Sequence, residues 1–194
     1  MKNQGDSVYQ ENYFYDSRGN VTQMTNSYGE KYTYTYDDHD NVIITKFFAL
    51  DDNNVLTLRS TTAYEYNNIG QLTKQYTYDG DSLRGSANII SSSYSYDLTN
   101  GSRTFGALLN ETDNKGIRTK YFYDPQNGRL LASVNADAGT GTCYTYDNAG
   151  RTTSVRPATY SWATHSYSDV NDSAFVEHSY NSFNQLKSIS TATT

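Results

Sequence analysis

Tyr144-Thr145-Tyr146-Asp147-Asn148-Ala149-Gly150 holds in seven residues the pattern from which the fold of the whole chain is read. Side chains alternate in a strand, so Tyr-x-Tyr places two rings on one face. The following Asp caps a turn, its carboxylate accepting from a backbone N–H two residues on. The glycine supplies a positive φ without steric cost, as a hairpin loop with a left-handed residue requires. A second strand then begins. The stretch is a β-hairpin in outline.

Eight aromatic–x–Tyr units recur. Their second aromatics are Tyr15, Tyr36, Tyr66, Tyr78, Tyr96, Tyr123, Tyr146 and Tyr180, and their first tyrosines include Tyr13, Tyr34, Tyr64, Tyr94, Tyr121 and Tyr144. Asp16, Asp37, Asp97, Asp124 and Asp147 supply turn carboxylates, and Gly19, Gly70, Gly128 and Gly150 follow. Asn67 and Asn181 replace the turn aspartate. Asp40 and Asn184 stand where glycine is expected, and Asp and Asn tolerate the left-handed region best after glycine. Return strands follow, as in Asn20-Val21-Thr22 and Arg129-Leu130-Leu131. In Asp124-Pro125-Gln126-Asn127-Gly128 an extra residue enters the turn. The unit Tyr76-Thr77-Tyr78-Asp79 lacks a clear return strand and reads as degenerate. Spacing between markers runs from 12 to 34 residues, so insertions are tolerated and belong in loops outside the packed layers.

Composition points the same way. The chain has 194 residues, 36% hydrophobic, with 20 Tyr against 7 Phe and 1 Trp. Each buried phenol needs a hydrogen-bond partner, so this ratio implies rings packed at one end and wet at the other. An extended sheet is expected rather than a dense globule. No window keeps a helical apolar stripe, and Thr, Tyr and Ser favour strands. Disordered chains are poor in aromatics and rich in proline, whereas this one has 2 Pro. The net charge of −6, without a basic stripe, argues against nucleic acid. Cys143 is alone and reads as a small strand residue. No apolar run reaches the length of a membrane span, and residues 1–6 lack the apolar core of a signal peptide.

The unit Tyr-x-Tyr-Asp-x-x-Gly, with a preceding Gly-x-x-Thr-x-Tyr as in Gly116-Ile117-Arg118-Thr119-Lys120-Tyr121, resembles the tyrosine–aspartate (YD) repeats of the Rhs family. That family includes large secreted or surface-attached bacterial proteins, the shells of Tc insecticidal toxin complexes, polymorphic toxins and the teneurins. The resemblance implies a β ribbon that spirals into a hollow shell, often around a toxic C-terminal cargo, with no catalysis in the repeats. It also implies a secreted or cell-surface location and the rest of the parent shell as partner. Neither an Asp-Pro-rich release motif nor a divergent toxin domain is present here.

Other residues offer alternatives. Asp37-Asp38-His39-Asp40-Asn41 and Asp51-Asp52-Asn53-Asn54 could supply oxygen ligands to Ca²⁺, but they fall where the repeat places turns and lack the spaced ligands of an EF-hand loop. His39, His165 and His178 lie far apart, and His178 occupies a first-aromatic position. The segment 156–175 breaks the repeat and carries Trp162 within Thr159-Tyr160-Ser161-Trp162. Aromatic platforms among small polar residues suit sugar stacking, so Trp162 and Tyr160 are candidate ligand-binding residues, against a long hairpin that packs Trp162 on the wall.

The expectation is therefore an all-β chain, residues 1–194 forming one repeat domain of tandem antiparallel hairpins in a twisted, curling sheet with its tyrosines on the concave face. It is expected to be a piece of a longer protein. The expected function is a non-catalytic wall segment of a large secreted or surface repeat protein, with no cofactor or metal. A carbohydrate- or partner-binding adhesin module is the alternative, and a glycan-active hydrolase a distant third. Exposed edge strands offer a route to self-association.

Overall fold

A computed structural model describes residues 9–83, 88–170 and 175–192. Residues 1–8, 84–87, 171–174 of the repeat-breaking segment and 193–194 lie outside the described residues. The fold is all-β: fifteen antiparallel strands and no helix among the described residues. None of the chain described is therefore a helix long and apolar enough to cross a membrane.

Contacts divide the chain into two compact units, Met1–Ser93 and Tyr94–Thr194. In the first, β1 (Glu11–Tyr15), β2 (Val21–Asn26), β3 (Lys31–Tyr36), β4 (Val42–Leu50), β5 (Leu56–Tyr66) and β6 (Leu72–Tyr78) pair in chain order, each with the next. β7 (Ile89–Tyr96) begins in this unit, where it pairs β6. In the second, β8 (Leu108–Thr112), β9 (Arg118–Tyr123), β10 (Leu130–Asn135), β11 (Thr140–Tyr146) and β12 (Thr152–Ser161) likewise pair in chain order, each with the next. The outer end of β12 folds back as a hairpin with β13 (Ser166–Asp169), and its inner end pairs β14 (Phe175–Tyr180), which pairs β15 (Leu186–Ala192).

The turns explain this order. Asp16 Oδ1 accepts from the N–H of Arg18 at 2.9 Å and of Asn20 at 2.8 Å, and Asp16 O accepts from Gly19 N. Asp37, Asn67, Asp147 and Asn181 make the same two-armed bond to the residues two and four places on. A type I turn closed by a left-handed residue results. That residue has φ of 86° at Gly150, and 64° at Asp40 and 63° at Asn184, the two positions where the pattern lacks glycine. At Asp124 the extra residue shifts the closing bond to Gly128 N→Asp124 O.

Tyr78 departs from the expected role. It ends β6, the return strand of the Tyr66 hairpin, and opens no hairpin of its own. Alternation puts rings on one face of outgoing and return strands alike, so Tyr-x-Tyr by itself does not distinguish them. Pairing does: Tyr78 lies on a strand already paired, antiparallel, with the outgoing strand β5. Seven tyrosine-led hairpins remain among the described residues, with the β12–β13 hairpin added.

Burial is thin, as the tyrosine content implied. The buried apolar side chains are Tyr78, Ala132, Val134, Ala136, Cys143, Ala158 and Tyr160. All but Tyr78 form one cluster on β10, β11, β12 and the turn after β10, with Phe122 and Tyr167 packed against it. Close backbone approach sets its size limit: a Cβ at Gly141 would lie 2.3 Å from Ser133 O and 2.5 Å from Val134 Cα. The cluster occupies the face that elsewhere meets water. At the middle position of Tyr-x-Tyr, Thr35, Glu65, Thr145 and Ser179 are exposed, whereas Phe122 is half-covered beneath Tyr160 and Tyr167.

Candidate functional site

A phenol at the end of an outgoing strand lies within reach of the preceding hairpin, and the second tyrosine of the repeat uses that reach. Tyr36 donates its hydroxyl to Val21 O at 2.7 Å, Tyr66 to Val42 O at 2.8 Å, and Tyr123 to Leu108 O at 2.9 Å. Tyr146 donates to Leu130 O at 2.7 Å and Tyr180 to Thr152 O at 2.9 Å. Every acceptor is the first residue of the preceding hairpin's return strand. The phenol therefore clasps one hairpin to the one before it. Its position owes something to a register shift in the same hairpin, between Thr35 and Tyr36 and between Thr145 and Tyr146 for example, which turns the last ring away from the plain pleat.

Cations around the turns add a second link between hairpins. Arg151 pairs with Asp147 at 2.6 Å, donates to Asn184 Oδ1 of the next turn at 2.8 Å, and lies 4.6 Å from the Tyr180 ring centroid. Arg129 donates to Asp147 O and covers the Tyr146 ring at 5.8 Å. Arg18 reaches Asp40 at 3.0 Å and Asp37 O. Between neighbouring turns these contacts leave shallow cavities, one of about 480 Å³ lined by Asp37, His39, Asn41, Tyr66 and Asn67 and one of about 330 Å³ that includes Asp124, Arg129, Tyr144 and Asp147.

The first tyrosines behave differently. Tyr34, Tyr64, Tyr94, Tyr121 and Tyr144 are half-buried along the strand faces, while Tyr13 and Tyr15 on β1 are exposed. Burial, then Glu111 close by, pushes the Tyr121 phenol up to about 12. Burial likewise raises Tyr34, Tyr36, Tyr66, Tyr96, Tyr123 and Tyr146. The turn carboxylates move the other way. The Asn41 side chain and the N–H groups of Asn41 and His39 lower Asp37, Arg151 lowers Asp147, and the Thr104 hydroxyl with Thr99 N–H and Ser102 lowers Asp97. Both oxygens of Asp37 are thus engaged by its own turn. Among the described residues no group of three or more His, Cys, Asp or Glu could hold a metal ion.

In the repeat-breaking segment the two candidate residues part company. Tyr160 is 8% exposed, its hydroxyl 3.3 Å from His165 Nδ1, whereas Trp162 at the hairpin turn is 44% exposed. The rings meet edge to face at 5.2 Å. The Arg118 guanidinium, itself paired with Asp137, lies 4.6 Å from the indole centroid, and Lys120 sits 5.9 Å away. Asn110, Thr112, Arg118, Lys120 and Trp162 line a cavity of about 240 Å³. Cys143 is buried, its thiol pushed up by burial. His178 lies beside the Tyr180 clasp with a buried Nδ1 that meets no hydrogen-bond partner among the described residues.

Two parts of this arrangement went unread in the sequence. Carbonyl acceptors carry no residue signature, so the clasps left no trace there. The opposite ends of the strands reuse the same turn at Asn26 and Asp113, and at Asp51, where the sequence did place a turn, each accepting from the N–H groups two and four residues on. An Asp or Asn three residues before Gly29, Asn54 or Gly116 was the available signal.

Removing one clasp hydroxyl, as in Tyr123→Phe or Tyr146→Phe, is expected to lower stability by about 0.5–1.5 kcal/mol in urea unfolding. Tyr15→Phe, whose hydroxyl meets no acceptor among the described residues, should stay within about 0.5 kcal/mol of the parent; equal losses at all three positions would contradict the clasp. The raised phenols also set an alkaline limit. The fold keeps them neutral above the ordinary tyrosine value of about 10, so their contribution is whole below that pH and is lost as pH climbs toward 12. Tyrosinate absorbance should therefore rise together with loss of the β circular-dichroism signal across that window, and a fold unchanged after full ionisation would refute the link.

Comparison with known proteins gives a family. A family model described as the teneurin YD-shell matches residues 1–164. No curated protein matches the chain. Among solved structures, TcdB2-TccC3-TEV is similar at 16% identity and a TM-score of 0.44, over 94% of this chain and 11% of that one. The Photorhabdus luminescens Tc holotoxin pore gives 14% identity and a TM-score of 0.34, over 94% and 11%. A Bacteroides fragilis protein of unknown function gives 11% identity and a TM-score of 0.29, over 86% and 94%. The chain thus spans about a tenth of the length of the Tc structures it matches. With the family model covering residues 1–164 of 194, this chain belongs to the teneurin YD-shell family.

Proposed function

We propose that the chain is a non-catalytic wall segment in the β-shell of a larger secreted or surface-associated protein, where the shell encloses or delivers a cargo. The observation that carries the reading is the clasp itself. Five equivalent tyrosines make the same bond to the preceding hairpin, and equivalence along a ladder is what a wall needs and a single reaction centre does not. The family membership and the small fraction of the Tc structures that the chain spans support a segment of a longer shell. In the parent protein, a cargo C-terminal to the shell should resist protease, and combined Tyr123→Phe, Tyr146→Phe and Tyr180→Phe changes should expose it. Cargo cut as fast inside the parent as when free would sink the proposal.

A second reading rests on Trp162. A half-exposed indole beside Asn110, Lys120 and Arg118 is a stacking platform with polar donors at its rim, suited to a glycan. Tyr160, buried beneath it, supports the platform and does not contact the ligand. Binding on a glycan array that Trp162→Ala abolishes is the expected result for this reading. Indole fluorescence unmoved by every glycan tested would dismiss it.

A further inference from the structure

Arginines link neighbouring turns through one repeated geometry. The guanidinium of one turn rests on the left-handed residue that ends the next. Arg18 meets Asp40 in this way, Arg129 meets Gly150 and Arg151 meets Asn184. Two of the three also lie over the clasp ring of that next hairpin, Arg129 over Tyr146 and Arg151 over Tyr180. Arg129 further donates to the carbonyl of Asp147, which begins the next turn and already accepts from the Gly150 N–H. A ring face, a turn carbonyl and a left-handed residue make up a guanidinium socket.

The turn that ends at Gly70 keeps the socket but meets no arginine among the described residues. The turn before it carries His39 where the first turn has Arg18, and Asn41 where later turns have Arg129 and Arg151. A Cβ built on Gly150 would lie 2.8 Å from the Arg129 guanidinium, whereas one on Gly70 would find only Asn41 Oδ1, at 3.8 Å, within 4 Å. The two corresponding cavities differ in the same sense, about 480 Å³ beside Asn41 and Tyr66 against about 330 Å³ beside Arg129 and Tyr146.

The acceptors are in place. Asn67 O takes the Gly70 N–H as Asp147 O takes that of Gly150, with a lone pair left for a second donor. Asn41 Oδ1 accepts from no donor among the described residues. Asp37 Oδ2 receives the Asn41 amide at 2.9 Å, where the equivalent Asp147 Oδ2 receives two nitrogens of Arg151. Asp37, Asp38 and Asp40 outnumber Arg18 here, so the local charge is negative. His39 and Ile69 are exposed at the rim, which leaves the mouth open to solvent.

We propose that the cavity between the Asp37 and Asn67 turns binds a guanidinium group, the side chain of an arginine on a partner polypeptide. The group lies on the Tyr66 ring and donates to Asn67 O, Asn41 Oδ1 and Asp37 Oδ2. A planar, forked cation stacks on an aromatic face and meets several acceptors at once, which a lysine ammonium does not. Such a site adds a contact to the wall segment and stands apart from the shell-segment reading.

Backbone amide NMR of the full 194-residue chain tests the site with N-acetylarginine amide and with a peptide carrying one internal arginine. Asn41, Asn67 and Gly70 should shift with both probes, and N-acetyllysine amide should bind about tenfold more weakly. Asn41→Arg supplies a guanidinium from the chain itself and should abolish the shifts while the β signal is kept. Arg129→Asn opens the equivalent socket and should create a second responsive site at Gly150, which keeps the test decisive if Asn41→Arg fails to fold. No shift at Gly70, equal binding of the lysine and arginine probes, undiminished binding by folded Asn41→Arg, or no second site in folded Arg129→Asn would overturn the proposal. Shifts with the amide and none with the peptide would overturn a partner polypeptide as the source. None of these outcomes bears on the shell-segment reading.

Discussion

A tyrosine hydroxyl resting on a backbone carbonyl of the neighbouring hairpin is the contact on which the other features depend. It goes with a fixed register, because each phenol bonds the carbonyl at the same place on the preceding return strand. It also explains why the repeat keeps tyrosine where phenylalanine would pack as well, since a chain with so small a buried apolar cluster draws its order from hydrogen bonds placed at hairpin junctions. Each bond is modest in water, and its strength as a design lies in repetition.

The turns serve the clasp. A two-armed Asp or Asn holds the last residue of the outgoing strand beside the first residue of the return strand, and that first residue is the one whose carbonyl the next hairpin uses. Arg129 and Arg151 cover the Tyr146 and Tyr180 rings and reach the following turn, so turn and clasp form one connected strip in those two units. The carboxylates are spent on this local work. The loops around Asp37 and Asp97 hold both carboxyls below the usual carboxylate range.

Much of this was legible in the sequence. Tyr-x-Tyr followed by Asp and Gly specifies a strand, a turn type and a second strand through steric rules that act within a few residues, and Asp40 and Asn184 take the left-handed conformation that their side chains tolerate. What stayed hidden depends on partners far along the chain. The carbonyl of Val21 or Leu130 looks like any other. Tyr78 carries the same alternation as a clasp tyrosine and differs in lying on a return strand. The β12–β13 hairpin, read as a break with Trp162 as its possible platform, turns out to build the small dry cluster over Gly141. Nothing in the repeat pattern announces where a face usually open to water will be covered.

The clasps also bear on how the chain reaches its structure. They join residues only 15, 24, 15, 16 and 28 positions apart, and the ladders link each hairpin to its neighbours alone. Low contact order of this kind lowers the entropic barrier to loop closure, which offsets the slowness common to all-β proteins. Each hairpin can close on its own turn and then zip onto whichever neighbour has already formed. Folding can then begin at several turns and spread, and such a wall can grow as it emerges during synthesis.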